Sequence, residues 1–274
     1  MASAPARSSR SFPRASAGVA LALTLAAGGT SAAFGSSEGA EAAPTAECTT
    51  DGFCEDFESQ TGTQPSGRWS AGAPDCTGTG SASVDSSVAH TGSQSIRVNG
   101  GTGYCNHMFV GTELTDVAVD SGLYVRFWMQ HSTPLPTQHV TFLAMEDAAH
   151  NNSDLRMGGQ NSAMQWNREY DDATLPAQSP VGVSLSVPLP TDEWVCVEYQ
   201  IDPAGLLETW VNGESVEGLH LDGTPTQDVE QQWMNGGAWQ PDLTDLRFGW
   251  ESYGEGSDTL WYDDIAVGTT RVGC

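Results

Sequence analysis

Short segments of alternating apolar and polar residues recur along the chain after residue 50, and apolar repeats of helical spacing are nearly absent. The clearest alternating segments are 53–58, 92–98, 123–129, 139–145, 195–201, 207–211, 246–251 and 260–267. Turn residues separate them, including the pair Asn212-Gly213, which is typical of tight hairpins. A single helical turn is predicted over 228–234. This spacing predicts an all-β fold, an antiparallel sandwich of the jelly-roll kind.

The N-terminal stretch 1–33 has the pattern of a secretory signal peptide. Three arginines precede an apolar run that is too short to span a bilayer comfortably, and small residues follow it. Residues 34–47 are rich in Gly, Ser, Glu and Ala and predict a flexible spacer. The remainder, 48–274, has the length of one β-rich domain. We therefore predict a secreted, extracellular protein with a single folded domain.

All six cysteines follow the predicted signal peptide. An even number of cysteines in an exported chain predicts up to three disulfides, although six cysteines allow fifteen pairings. Proximity in the sequence suggests the pairs Cys48–Cys54, Cys76–Cys105 and Cys196–Cys274. A zinc site is disfavoured, because the spacings are irregular and no CxxC pair occurs.

The chain is strongly acidic, with 35 Asp and Glu against 10 Lys and Arg and a formal net charge of −25. Such a charge repels nucleic acid and anionic membranes, so neither is an expected partner. An acidic surface suited to a salty or acidic medium accounts for the composition. After the predicted signal peptide no apolar run is long enough for a membrane helix. We expect a soluble monomer.

The segment 155–172 concentrates long polar side chains where a β-sheet is predicted. Its apolar residues do not recur at helical spacing, so the segment predicts paired strands with one polar face. A sheet face that carries guanidinium, amide and carboxylate groups together is typical of a binding site. The polar side chains in question are Arg156, Gln160, Gln165, Asn167 and Glu169.

Acidic residues also occur near both ends of the predicted domain. Glu58 ends the first predicted strand, and Asp263 and Asp264 lie in the last one. Terminal strands of sandwiches often pair, which would bring Glu58 near Asp263. A buried Asp263 needs a counter-charge, and a hard cation with further ligands from the carbonyls of turn 91–94 would supply it. The alternative is that the two aspartates bond to backbone groups or to an arginine.

Several motifs in one order resemble a known family. They are GYCNH at 103–107, LRMGGQ at 155–160, NREYDDATLP at 167–176, FGWE at 248–251 and RVGC at 271–274. Together they resemble the cellulose-induced protein family of cellulose-degrading fungi and its bacterial relatives, from about Cys54 to Cys274. The resemblance implies a fold similar to that of glucuronan and alginate lyases, a concanavalin A-like jelly roll with a grooved concave sheet.

The same resemblance implies a structural calcium ion. Its side-chain ligands would be Glu58 and Asp263, and Thr91 and Gln94 would contribute carbonyl oxygens. The fungal member also carries a cellulose-binding module, for which this sequence has no room.

The resemblance further implies which residues line the groove. Carried over by position, they are His139, Thr141, Arg156, Gln160 and Asp172. Alternation supports the pair His139 and Thr141, since both point to one face of a strand. The chain departs from the fungal member at Asp154, where that protein has a histidine. Further residues expected to contact a bound polysaccharide are Asn167, Arg168, Glu251 and Tyr253.

Lyase chemistry on a polyuronate requires a cation, a base and an acid. Arg156 and Gln160 would neutralise the sugar carboxylate, so that the proton on the adjacent carbon becomes acidic. His139, expected to titrate near neutrality, would take that proton, with Tyr170 or Tyr253 as the alternatives. A tyrosine would protonate the leaving oxygen, and Asp172 would orient a neighbouring side chain.

Other functions fit the same residues. Arg156 and Asp172 are alternatively a plain ion pair, and His139 a structural strand histidine. A non-catalytic carbohydrate-binding module would stack sugars on tryptophans such as Trp166, Trp239 and Trp250. A glycoside hydrolase would use paired carboxylates such as Glu169 and Glu251, which then lie about 5–9.5 Å apart. The lyase is the first hypothesis, the binding module the second and the hydrolase the third.

Overall fold

The computed structural model describes residues 51–254 and 256–274. The strands are β1 Phe53–Glu55, β2 Ser70–Gly72, β3 Ser81–Asp85, β4 Ser95–Gly100, β5 Met108–Glu113, β6 Leu123–His131, β7 Val140–Asp147, β8 Ser153–Gln160, β9 Ala163–Arg168, β10 Ala173–Leu175, β11 Val195–Ile201, β12 Leu207–Val211, β13 Glu214–Ser215, β14 Asp245–Ser252 and β15 Asp258–Gly268. The helices are short, α1 Pro180–Ser184 and α2 Gln231–Met234, with 3₁₀ turns at Val119–Ser121, Ala148–His150 and Glu217–Leu219.

The strands form two antiparallel sheets. One has the order β13-β12-β11-β6-β15-β4-β3, with β1 paired to β15, and the other has the order β10-β9-β8-β7-β14-β5-β2. The sheets pack face to face as a jelly-roll sandwich, which confirms the predicted fold class. Within the described part of the chain, no helix is long and apolar enough to cross a membrane.

Alternation along each strand builds the core between the two sheets. Phe127 on β6 and Phe248 on β14 are buried, and their ring centroids lie 5.0 Å apart across the interface. Buried polar groups that reach the interface find partners in the opposite sheet. The Trp166 Nε1–H donates to the Thr209 hydroxyl at 2.9 Å, and the Tyr262 hydroxyl donates to the Phe142 carbonyl at 2.9 Å. These bonds fix the relative position of the sheets.

Two β-bulges lie side by side in the seven-stranded sheet. One interrupts the pairing of β14 with β7 between Phe248 and Glu251, and the other interrupts the pairing of β7 with β8 between Thr141 and Leu143. A bulge bends its strand and increases the local twist. Adjacent bulges therefore curve the centre of this sheet, and the polar side chains described below lie at that bend.

Two disulfides are defined within the described residues, Cys76–Cys105 and Cys196–Cys274. Both match the pairs suggested by sequence proximity. Cys54 is also disulfide-bonded, whereas Cys48, the predicted signal peptide and the whole predicted spacer lie outside the described residues. The signal peptide and the spacer stay predictions.

Candidate active site

Two rows of outward-facing residues cross the middle strands of the seven-stranded sheet. In one row Arg247, Ala144, Arg156 and Asn167 lie directly opposite one another in register. In the other, the order is Glu251, Thr141, Gly158 and Gln165. Their strand neighbours, such as Met157 and Trp166, point into the core. The outer face of this sheet, called the groove face below, therefore carries the polar side chains that the sequence predicted.

Arg156 is the centre of the groove face. Its side chain is only 7% exposed, and its NH2 group lies 2.6 Å from the Glu169 carboxylate and 3.4 Å from that of Glu251. The guanidinium carbon lies 5.6 Å from the ring centroid of Tyr253. The alternative ion pair of Arg156 with Asp172 is wrong, because Asp172 accepts a hydrogen bond from the Asn167 amide at 3.1 Å. Arg156 is held by two glutamates instead.

His139 and Tyr253 stack beside Arg156, with ring centroids 5.2 Å apart and planes inclined by 2°. Burial and the nearby charge of Arg156 lower the pKa of His139 to about 4, against a small opposing effect of Asp172. The pKa of His139 is therefore lower than the near-neutral value that was predicted from the sequence. Burial and the charge of Glu251 raise the pKa of Tyr253, which also shares a hydrogen bond with Glu251. At neutral pH the two rings are an unprotonated imidazole and a protonated phenol.

The floor of the groove face contains buried polar atoms without a hydrogen-bond partner among the described residues. They include both side-chain polar atoms of Gln165, Oδ1 of Asn167, Oγ1 of Thr141, Nε2 of His139 and Nε of Arg156. Buried polar groups in native proteins nearly always have partners, so a cluster of such atoms on one face calls for an explanation. A polar ligand that lies across β7, β8 and β9 would provide the missing partners.

Asp154, the departure from the fungal member, lies two residues before Arg156 and therefore on the same face of β8. Its carboxylate forms an ion pair with Arg247 rather than standing free. Burial raises the pKa of Asp154 to about 7, although Arg247 and Arg156 act in the opposite direction. Arg247 also borders a cleft of about 280 Å³ that continues over Phe109 and Gly111 toward β2.

The remaining predicted groove residues divide into two groups. Gln160 is half-buried and shares the face of Arg156 by alternation, and Asp172 is exposed at the turn before β10, with a positive φ of 56°. Arg168 and Tyr170 are not brought to the groove face. Arg168 follows Asn167 and so points to the other side of β9, where it bonds to Asp171 and to the Trp233 carbonyl. Tyr170 stacks on His150 with ring centroids 4.3 Å apart.

Two further residues of this region were missed by the sequence predictions. His107 lies one residue before β5, and its Nε2 is 3.5 Å from Oε1 of Glu251. Tyr104 is 77% exposed and packs edge-on against Tyr253 with centroids 5.9 Å apart. Both lie in the motif at 103–107 that supported the family resemblance. That motif could have marked them as site residues from the sequence. By contrast, Trp166, Trp239 and Trp250 are buried core residues and not sugar platforms.

The residues predicted for calcium meet around the turn that contains Gly92. Glu58 accepts hydrogen bonds from the backbone N–H groups of Ser93 and Gln94, both at 2.7 Å. Asp263, fully buried, accepts from the N–H groups of His90 and Thr91 at 2.7 and 3.3 Å. No described group of three or more His, Cys, Asp or Glu side chains is arranged to hold a metal.

A cation nevertheless suits this turn. Burial and the neighbouring Asp264 raise the pKa of Asp263 to about 7. A buried carboxylate beside a second one is the environment that a hard cation stabilises, with backbone oxygens completing the ligand set.

The fold and the groove define a jelly-roll sandwich of the polysaccharide lyase-like class. A family model described as polysaccharide lyase-like, Cip1-like core domain, matches residues 56–270. The chain belongs to this Cip1-like family, which confirms the resemblance predicted from the motifs.

One solved structure agrees with the family assignment, and a second shows likeness alone. One titled "Cellulose induced protein, Cip1" is 41% identical, with a TM-score of 0.75, and the match covers 81% of this chain and 99% of that one. An endo-β-1,4-glucuronan lyase from the fungus Trichoderma reesei is 17% identical, with a TM-score of 0.44, over 80% of this chain and 95% of that one. Likeness at the latter level supports no assignment of activity. No curated protein matches the chain.

Proposed function

We propose that the protein is a secreted polysaccharide lyase-like enzyme that cleaves a polyuronate of the glucuronan type by β-elimination. The observation that carries this proposal is the arrangement around Arg156, where one guanidinium adjoins an unprotonated histidine and a protonated tyrosine. These are the cation, the base and the acid that β-elimination requires. The predicted signal peptide and the disulfides support secretion.

Arg156 is suited to bind the sugar carboxylate. Glu169, its closer partner, has a side chain that is 41% exposed, so an incoming carboxylate can replace it at the guanidinium. Gln165 and Asn167 lie in the same two rows; the partnerless Nε2 of Gln165 would donate to the same sugar, and the partnerless Oδ1 of Asn167 would accept from a sugar hydroxyl. Charge-assisted hydrogen bonds to the carboxylate favour the enolate-like charge that develops when the neighbouring C–H bond breaks.

His139 and Tyr253 would move the protons. His139 takes the proton from the carbon that bears the carboxylate, and the electrons of that C–H bond form the new double bond. The glycosidic C–O bond on the next carbon breaks, and its electron pair stays on the leaving oxygen. The Tyr253 hydroxyl protonates that oxygen. His139 then loses its proton to solvent, and Tyr253 must recover one.

The net charge of −25 opposes a polyanionic substrate at long range. Screening limits this repulsion to about 8 Å at physiological ionic strength. Arg156 and Arg247 lie in one row of the groove face and act within that distance. Association should therefore accelerate with added salt, up to the point at which the arginine contacts are themselves screened.

The direct test is an assay for unsaturated sugar, which absorbs in the near ultraviolet. The protein is incubated with glucuronan, alginate and other polyuronates with calcium present, from acidic to neutral pH. We expect rising absorbance with at least one of them. A hydrolase would release reducing ends without that absorbance, and absence of absorbance on every substrate would refute the lyase proposal.

The pH profile provides a second prediction. Because the base must be unprotonated and the pKa of His139 is about 4, kcat/KM should fall toward acid along a limb centred near pH 4. A solvent-exposed histidine would place that limb near 6.5. The measurement is initial rate against pH at constant ionic strength, on protein shown to remain folded, with His139→Ala as the background. A limb centred near 6.5 would contradict the assignment of His139.

A non-catalytic carbohydrate-binding protein is the second candidate. Tyr104 favours it, because an aromatic ring that is 77% exposed beside the groove is suited to stack on a sugar ring. Retention on polysaccharide without any product would support this candidate. The hydrolase is disfavoured, because Glu169 and Glu251 both contact the NH2 group of Arg156, which occupies the space where a glycosidic bond would have to lie.

Calcium is proposed as a structural ion away from the chemistry. Glu58 and Asp263 would supply carboxylate oxygens, and Thr91 and Gln94 would supply backbone oxygens. Bound there, the ion would tie the turn after β3 to β15 and would neutralise the buried pair Asp263 and Asp264.

A further inference from the structure

His107 is held in a defined orientation behind the groove face. Its Nδ1 lies 2.9 Å from the Pro74 carbonyl oxygen. A carbonyl oxygen only accepts hydrogen bonds, so Nδ1 carries a proton and donates it. Its backbone N–H donates to the Cys76 carbonyl at 3.1 Å, and the Cys76–Cys105 disulfide joins the segments on either side. The ring therefore cannot turn without breaking these contacts.

This orientation directs Nε2 at Glu251. The distance to Oε1 is 3.5 Å, and the two side chains are 10% and 1% exposed. If the imidazole were neutral and the glutamate ionised, two lone pairs would face each other in a buried place. A proton between Nε2 and Oε1 removes that repulsion, as an imidazolium–carboxylate pair or as an imidazole facing a carboxylic acid.

Other charged and titratable groups meet at the same carboxylate. The Arg156 NH2 group on β8 lies 3.4 Å from Oε1, and Tyr253, which follows β14, shares a hydrogen bond with Glu251. His139 stacks on the far side of the Tyr253 ring. From β5, Phe109 packs edge-on against His107 with centroids 6.4 Å apart. Glu251 is thus the link between His107 and the proposed acid.

We propose that His107 is a positioning residue that, with Glu251, stores the proton returned to Tyr253 after each cleavage. This inference rests on the proposed lyase function. Tyr253 gives its hydroxyl proton to the leaving oxygen and becomes a phenolate. The one proton shared by Nε2 of His107 and Oε1 of Glu251 passes through Glu251 to that phenolate, which leaves a neutral imidazole with its proton on Nδ1 and an ionised Glu251. Solvent then reprotonates His107, so that neither an oxidant nor a further reactant is required.

The test compares His107→Gln with His150→Gln. Glutamine keeps a donor for the Pro74 carbonyl but has no proton to transfer. His150 is a matched control, because its Nδ1 lies 2.7 Å from the Asp147 carboxylate and its ring lies outside the groove face. We expect His107→Gln to lower kcat by about 10²-fold with KM nearly unchanged, and His150→Gln to leave both unchanged. In His107→Ala, added imidazole should restore part of kcat, because it supplies the missing proton carrier.

The outcomes separate this inference from the proposed function. If the wild-type protein forms unsaturated product and His107→Gln keeps kcat within about threefold, the proposed role of His107 is refuted and the proposed lyase function is supported. If the wild type is inactive on every polyuronate, both the proposed lyase function and the proposed role of His107 are refuted. Independently of activity, nitrogen NMR of the His107 ring should show Nδ1 protonated at every pH. An Nε2–H tautomer with bare Nδ1 would overturn the proposed geometry.

Discussion

Replacing Arg156 with lysine should lower kcat/KM on a polyuronate by roughly 10²–10³-fold while the protein stays folded. Lysine keeps a positive charge beside Glu251 but loses the planar fork that can bind a sugar carboxylate with two hydrogen bonds. The expected loss in kcat/KM is the size measured when an enzyme loses one preorganised hydrogen-bond donor to the negative charge that develops in the transition state. The measurement is the initial rate of absorbance increase, with thermal unfolding recorded on the same samples.

Arg156→Ala should cost stability as well as activity. Glu251 is 1% exposed and would lose its arginine partner in a buried place, where only His107 and Tyr253 would remain beside it. Breaking a buried ion pair in this way costs about 3–5 kcal/mol in the free energy of unfolding. The alanine variant alone therefore cannot distinguish catalysis from folding, and the lysine variant carries the test.

Arg271→Lys is the matched control for both variants. Arg271 pairs with Glu198 at 2.7 Å, and Glu198 is as buried as Glu251, but this pair belongs to the eight-stranded sheet. We expect kcat/KM of Arg271→Lys to equal that of the wild type. Equal losses in Arg156→Lys and Arg271→Lys would mean that the arginine pairs are structural, and the catalytic role of Arg156 would be withdrawn.

The strands that alternation predicted best are those that are buried on one face over their whole length. β11 and β12 were predicted with their observed bounds, because Val195, Val197 and Tyr199 alternate with more polar residues and face the core. The strands that were missed are short, such as β2 and β13, or lack alternation. β5 places Phe109 and Gly111 on its outer face, where only the last residue, Glu113, is polar, so its sequence hardly marks the period. These strands form because they pair with strands that are distant in the chain, and the alternation of residues within a strand does not reveal such pairing.

The part of the groove face that was predictable from the sequence follows from the alternation of residues along the strands and from the family motifs. Thr141, Arg156 and Asn167 lie on one face, as expected. The same alternation argues against Arg168, since adjacent residues of a strand point to opposite faces. The contact of His107 with Glu251 was not predictable, because it depends on the pairing of β5 with β14, which are far apart in the chain.

Asp154 illustrates a different limit. Its identity is plain in the sequence, but its state depends on burial and on Arg247, which comes from another strand. The resemblance drawn from the sequence motifs implies a histidine at this position in the fungal member. In this chain a carboxylate whose pKa is about 7 occupies the place, and it is bound to an arginine. The proposed mechanism does not require residue 154 as a base, since His139 and Tyr253 would provide the two proton-transfer groups.

Removing calcium should lower the melting temperature by roughly 5–10 °C. A ligand present at a hundredfold excess over its Kd stabilises the folded state by about 2.7 kcal/mol. For a domain of this size each kcal/mol corresponds to roughly 2–4 °C. The proposed ligands Glu58 and Asp263 lie on segments far apart in the chain, so the ion would act on global unfolding rather than on one loop. The measurement is thermal unfolding in chelator, followed by titration with calcium or magnesium.

Two aspartate variants make the calcium test specific. Asp263→Asn removes the charge of the proposed ligand, and its melting temperature should no longer respond to calcium. Asp85→Asn is the matched control, because Asp85 is also buried but bonds to Ser87 and Trp261. Its calcium response should match that of the wild type. If chelator leaves the wild-type transition in place, or if Asp263→Asn still responds, the calcium site is refuted, and the hydrogen bonds from His90, Thr91 and the Asp264 N–H stabilise Asp263 without an ion.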